Sequence, residues 1–298
     1  EAFLKLREDP ALHNLQLRAT GGVTAHDRVF LSGIRGKLAR AGADRTTAQE
    51  ISQLVGEELF DGITTQEIYR RAFARLREHR RGVAARYSLK RAVWDFGPSG
   101  FPFETYVAAL LKAEGWEAQT DRIIMGACVE HEVDVVANKG SELLYVEAKF
   151  HNSPGFKTDL KTALYVKARM DDIRAAKAAK KEKDGEKSLV RGLLVTNTKF
   201  TTHASDYASC AGLELLSWEQ PEGHTLHDRI DAAGLYPITA LTTLSRREKM
   251  YLLEKRIVLC SELISNTRAL AEAGVAGTKA TAVLEEAGTL CKGEVKVE

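Results

Sequence analysis

Between residues 28 and 97, apolar side chains recur at three- and four-residue intervals, the spacing of one helix face. Phe30, Leu31, Ile34, Leu38 and Ala41 predict a helix over 28–41, with Gly42 as its C-terminal stop. Ile51, Leu54, Val55 and Leu59 predict a second, running from Thr46/Thr47 to Phe60 and broken by Asp61-Gly62. Thr64-Thr65-Gln66-Glu67 has the form of a capping box and opens a third, with Ile68, Ala72 and Leu76 inward. A fourth is predicted over 83–96, before the turn-forming Gly97-Pro98-Ser99-Gly100.

The period then alternates. Residues 101–115 read as a helix with Phe103, Val107, Leu110 and Leu111 on one face and Glu104 near its start. Strands are predicted at 117–124, 133–137 and 143–150, a helix at 157–179, a polar surface segment at 180–187, a buried strand at 189–196, a helix at 202–210 and a strand at 213–218. Beyond Pro221 the pattern is helical again, at 245–255, 261–273 and 277–287. Interleaved helices and strands define an α/β core. The expected domains are 1–97 (all-α), 98–222 (α/β) and 223–298 (all-α).

Composition narrows the class. Basic residues number 43 against 41 acidic, so the net charge of +2 announces no nucleic-acid partner, and any binding face must come from local clustering. The four cysteines, Cys128, Cys210, Cys260 and Cys291, form no Cys-x-x-Cys pair, which fits reduced thiols and argues against structural zinc. No apolar run approaches the roughly 20 residues of a membrane span. A cytoplasmic protein away from membranes is the expectation.

The strands carry the chemistry. Asp134 lies within Val133–Ala137, and Glu147-Ala148-Lys149 ends the next strand, across an Asn-Lys-Gly-Ser turn. Such a hairpin brings Asp134 to within a residue or two of Glu147. Alternation places Glu147 and Lys149 on one face and Ala148 on the other. Charge on such apolar strands is costly unless it is paired or binds a metal. Two carboxylates suit a hard cation, Mg²⁺ or Mn²⁺, with the Ala148 carbonyl as a third oxygen. Lys149 is placed to orient water and offset charge. Glu130 and Glu132 share the face of Asp134 and read as solvent-facing strand-end residues, with help in binding the metal as the alternative, and His131 reads as a surface or packing residue.

Four separated elements occur in order: Gly100-Phe101-Pro102-Phe103-Glu104, Leu110-Leu111-Lys112-Ala113-Glu114-Gly115-Trp116, Val133-Asp134-Val135-Val136-Ala137, and Val146-Glu147-Ala148-Lys149. Together they resemble the PD-(D/E)XK nuclease superfamily, in particular its Mrr-like restriction endonuclease domains. The resemblance spans about 99–221. It implies a central mixed sheet flanked by helices and cleavage of double-stranded DNA in restriction or anti-phage defence. It also implies that Asp134 and Glu147 are metal ligands, Lys149 is the catalytic lysine and Glu104 is an assisting helix acid. Many Mrr-like domains carry Gln-x-Lys where this chain has Glu147. A DNA-binding regulator without cleavage, or a nuclease acting on RNA, remains open as an alternative.

Lys157 and Lys161 share a helix face in the predicted 157–179 helix and, with Asn197 and Lys199 after the buried strand, are candidate DNA-phosphate contacts. Arg70, Arg71, Arg75, Arg77, Arg80, Arg81, Arg86, Lys90 and Arg91 form a basic stretch with few acids nearby, which favours an anionic partner. At the N-terminus, Leu38–Ala43, Leu59–Tyr69 and Ala85–Ala92 resemble the ATP-cone, a regulatory nucleotide-binding domain. That resemblance implies an ATP or dATP effector, a homo-oligomer, and Arg18 in the nucleotide-binding segment. Gly274-Val275-Ala276-Gly277 before an Ala-rich helix resembles a helix-hairpin-helix.

Overall fold

A computed structural model of the chain describes residues 25–60, 63–153, 155–184 and 189–291. They form two compact units, one reaching Leu89 and the other starting at Lys90. Arg18 lies outside the described residues.

The first unit is helical: α1 (Ala25–Arg40), α2 (Arg45–Glu57), α3 (Thr65–His79) and α4 (Arg81–Tyr87). Asp44 caps α2 by accepting from the Thr47 amide (2.8 Å), and Thr64 caps α3 by accepting from the Glu67 amide (3.1 Å). Ile34, Leu38, Ile51, Val55, Ile63, Ile68, Leu76 and Val83 fill the core, largely the face that the spacing marks. Glu67 turns to Arg70 (2.8 Å) and Arg71 (3.0 Å), while Glu58 takes Arg71 (3.0 Å) and Arg75 (2.6 Å). The beginning of the basic stretch is therefore balanced by acids that only the folded helices bring to it. A single helix over 83–96 is not formed. The Ser88 hydroxyl donates to the Ala85 carbonyl (3.1 Å), and the chain divides there into α4 and α5 (Leu89–Trp94).

The second unit continues with α6 (Phe101–Ala113), β1 (Glu117–Met125), β2 (Glu130–Lys139), β3 (Glu142–Lys149), β4 (Lys157–Thr158), α7 (Leu160–Asp184), β5 (Leu189–Thr196), β6 (Lys199–Phe200), α8 (Thr202–Ala211) and β7 (Glu214–Leu216). The main sheet has the order β1-β2-β3-β5-β7. The first three strands are antiparallel, and β3, β5 and β7 are parallel, linked through α7 and α8. This is a mixed sheet flanked by helices, the restriction-endonuclease-like architecture. Its middle strands are apolar because both faces are covered: Leu144, Tyr145 and Val146 on β3 and Leu193, Leu194 and Val195 on β5 are buried. Ala163, Val166, Met170 and Ile173, three or four apart on α7, pack onto that sheet.

The remaining helices are α9 (Leu226–Ala233), α10 (Arg246–Glu254), α11 (Cys260–Ser265), α12 (Arg268–Glu272) and α13 (Gly277–Cys291). They belong to the same compact unit as the sheet. Tyr106 on α6 donates its hydroxyl to the Leu235 carbonyl (2.5 Å), and Thr239 donates to the Ala92 carbonyl (2.6 Å). The Phe96 ring packs edge-on against Tyr106 at 5.3 Å. The Gly274–Gly277 turn does precede α13, but Lys279 beyond it is paired with Glu248 (2.6 Å). No described helix is long and apolar enough to cross a membrane.

Candidate active site

The β2–β3 register stops at Val135 opposite Val146. Its continuation sets Asp134 opposite Glu147. There the strands part: the Ala148 amide donates to Asp134 Oδ2 (2.7 Å) instead of to the neighbouring backbone. The Ala148 carbonyl leaves the strand on that same edge. Burial alternates along the strand, with Glu147 half-buried, Ala148 buried and Lys149 exposed. Lys149 has no ion pair among the described residues.

Glu104 joins from the first turn of α6, where a carboxylate is favoured by the helix dipole. Aromatic packing sets that helix against the end of β3: Phe103 lies 5.7 Å from Phe150, the residue after Lys149, and Phe96 lies 6.4 Å from it. Burial, then the carboxylates of Asp134, Asp121, Glu147 and Glu132, push Glu104 up to about 7. Burial and Glu147 push Asp134 up to about 6, against the pull of the Ala148 N–H and Arg169. These carboxylates resist ionisation first through burial and then through one another's charge, and a bound cation would favour their charged forms.

Four participants were not apparent from local pattern. Asp121 stands opposite Asp134 by the β1–β2 register, in a left-handed conformation (φ 55°) that Asp tolerates better than most residues. Arg169 reaches from α7 to pair with Glu147, and its other nitrogen donates to the Tyr165 hydroxyl (2.8 Å). Asp172, one turn on, accepts from the Cys128 amide (2.8 Å) and binds His131 (2.8 Å), so His131 braces the β1–β2 turn. The His131 imidazole, then the backbone N–H groups of the turn, hold Asp172 at about 2. His151 is the fourth. Its amide donates to Asn197 (2.8 Å), its ring meets Thr158 (3.1 Å) and stacks on Phe156, and burial followed by the Lys149 charge lowers its pKa.

One expected phosphate contact is corrected, and another changes its element. Asn197 is 0% exposed, and its carboxamide is tied at both ends to the His151 backbone, the second bond running to the carbonyl at 2.7 Å. It fixes the turn after Lys149 and presents nothing to DNA. Lys157 does not share a helix face with Lys161, because α7 starts at Leu160 and Lys157 belongs to β4, paired with Lys199 on β6. Lys157 and Lys161 are both exposed, whereas Lys199 is engaged by Glu219 (2.8 Å).

Among the described residues, no three His, Cys, Asp or Glu side chains converge into a ready-made coordination set. Mg²⁺ needs only one or two carboxylates and keeps its waters. The oxygen-only pair of Asp134 and Glu147, with Ala148 beside them, fits that demand.

Fold and site define the class. Residues 98–220 match the restriction endonuclease family model, so the chain carries a nuclease domain of restriction-endonuclease type. Residues 236–291 match the AF1548-like C-terminal model. An uncharacterized protein of Archaeoglobus fulgidus is 37% identical over 182 residues, covering 61% of this chain and 97% of that one. The crystal structure of AF1548, a protein of unknown function, matches with a TM-score of 0.52 at 34% identity, over 65% of this chain and 100% of that one. The chain belongs to the AF1548-like family.

Proposed function

We propose that this protein is a Mg²⁺- or Mn²⁺-dependent endonuclease that hydrolyses phosphodiester bonds in double-stranded DNA, in restriction or antiviral defence. The observation that carries the reading is the Asp134–Glu147 pair at the point where β2 and β3 part, with Lys149 one step along the same face. Asp134, Glu147 and the Ala148 carbonyl would hold the metal, which when bound polarises the scissile phosphate and acidifies an attacking water.

The chain supplies the rest. The Ala148 N–H fixes one oxygen of Asp134, so that carboxylate is oriented before substrate arrives. Lys149, exposed beside Glu147, orients the nucleophile and offsets charge in the transition state. Glu104, at about 7, is poised to exchange a proton near neutral pH. Lys157 and Lys161, both exposed, are the proposed phosphate contacts. The N-terminal helical unit is read as an ATP-cone-like module that regulates or oligomerises the enzyme; nucleotide titration, with Arg18→Ala as control, tests that part.

Plasmid cleavage with Mg²⁺ or Mn²⁺ tests the whole. Asp134→Ala and Lys149→Ala are each expected to lower the rate by about 100-fold or more. Cleavage that survives both changes refutes the assignment. One observation favours a second reading, a DNA-binding protein that does not cut: Glu147 is already held by the Arg169 guanidinium. Tight duplex binding without cleavage under any metal would select it.

A further inference from the structure

Arg169 engages the very carboxylate that the proposed chemistry needs for a cation. It projects from the third turn of α7, and its pair with Glu147 is nearly closed to solvent, at 9% and 18% exposure. The guanidinium is not fully satisfied. One terminal nitrogen donates to Glu147 and the other to Tyr165, over whose ring the group lies at 4.7 Å, but Nε is buried without an acceptor among the described residues. Asp134 across the strand gap makes no ion pair among the described residues; it accepts the Ala148 N–H and feels the Arg169 charge without a direct bond. One carboxylate of the pair is thus neutralised and the other is not.

A guanidinium fork matches the planar, multiple acceptors of phosphate at least as well as those of a single carboxylate. The same α7 face presents the exposed Tyr165 and, one turn earlier, the exposed Lys161, so the direction in which Arg169 would swing is the direction from which a phosphate backbone would come.

We propose that Arg169 is a resident counter-cation for Glu147: it gives up that carboxylate when the divalent metal binds and then takes a phosphate oxygen of the substrate. This rests on the metal-dependent nuclease reading. Metal binding becomes an exchange of cations at Glu147, and Arg169 has opposite effects on the two ligands. Its removal tightens the metal and weakens the DNA. A merely structural arginine would, when lost, weaken both.

The experiment is calorimetric titration of Mn²⁺ into the full chain at fixed ionic strength, for the wild type, Arg169→Met, Arg169→Lys and the control Asp134→Asn. Duplex DNA affinity in Ca²⁺ is measured alongside. Mn²⁺ is expected to bind Arg169→Met about tenfold more tightly, since one nearby positive charge is gone, and Arg169→Lys by a smaller factor, while Arg169→Met binds DNA several-fold more weakly. Unchanged or weaker Mn²⁺ binding by a folded Arg169→Met protein overturns the proposal. If that variant does not fold, the same outcome in Arg169→Lys overturns it. Mn²⁺ binding that survives in Asp134→Asn would instead refute the metal centre itself, and with it the exchange of cations at Glu147.

Discussion

Burial, then the carboxylates around it, hold Glu104 in its protonated form, and its behaviour with pH follows from that. Its folded pKa of about 7 lies above the ordinary 4.5, and that of Asp134, about 6, lies above 3.8. Between those limits the folded, metal-free state holds protons that the unfolded chain has released, so stability falls as pH rises through this window. Glu104→Gln is therefore predicted to raise the melting temperature of the metal-free protein at pH 8, by roughly 2–4 °C after allowing for solvent screening. The gain should vanish below about pH 5, and thermal melts across pH check it. Asn197→Ala makes a different prediction: it strands the amide and the carbonyl of His151, at a cost of about 1–3 kcal/mol. Denaturant melts measure that loss. Cleavage should fall with the turn after Lys149, while duplex affinity stays within about twofold, because Asn197 faces the protein. At this scale the sequence was legible where chemistry is local. Asp134, Glu147, Lys149 and Glu104 lie on predicted elements with their roles implied by ordered motifs. Arg169 could be noticed as a cation, but its pairing with a residue 22 positions away depends on how α7 lies on the sheet. Asp121 carries no local signal, and only the register sets it opposite Asp134.

Helix α7 organises the centre as an element. Its inner residues Ala163, Val166, Met170 and Ile173 grip the sheet, which aims Arg169 at Glu147 and Asp172 at the β1–β2 turn. Gly126 belongs to this joint. A Cβ there would stand 2.0 Å from Asp172 Oδ2, and the Gly126 amide already donates to the Val129 carbonyl (2.8 Å). Gly126→Ala is predicted to unclasp the turn. Hydrogen exchange should show amides 126–129 losing protection, with β3 and β5 unchanged. The strands and long helices could be read from periodicity, since a buried strand of Leu and Val and a one-sided helix leave clear patterns. The interruptions could not. Ser88 and the Asn266–Thr267 step break predicted helices through local geometry, and the two-residue strands β4 and β6 exist only because each finds the other. That last pairing also moved Lys157 off the helix.

As a whole molecule, the chain forms two compact units, and the helices beyond residue 223 lie in the one that carries the sheet. Nothing local in the sequence distinguishes helices that stand alone from helices that pack on a sheet. Glu286 helps to explain the union of the C-terminal helices. It is buried, and its carboxylate accepts from the amides and hydroxyls of both Thr242 and Thr243, at 2.7–3.0 Å. Glu286→Ala is predicted to cost about 3 kcal/mol, since four donors lose a charged acceptor, and calorimetric unfolding would register it. Both family matches lie within 98–291, inside the unit that carries the sheet.

The central claim is a divalent cation shared by Asp134 and Glu147. Crystals of the full chain soaked in Mn²⁺ test it most directly through the anomalous difference map. One strong peak is expected between the two carboxylates, with oxygen ligands at about 2.1 Å and the Arg169 guanidinium displaced from Glu147. A map with no peak there, or with Mn²⁺ bound elsewhere while Arg169 still holds Glu147, would contradict it.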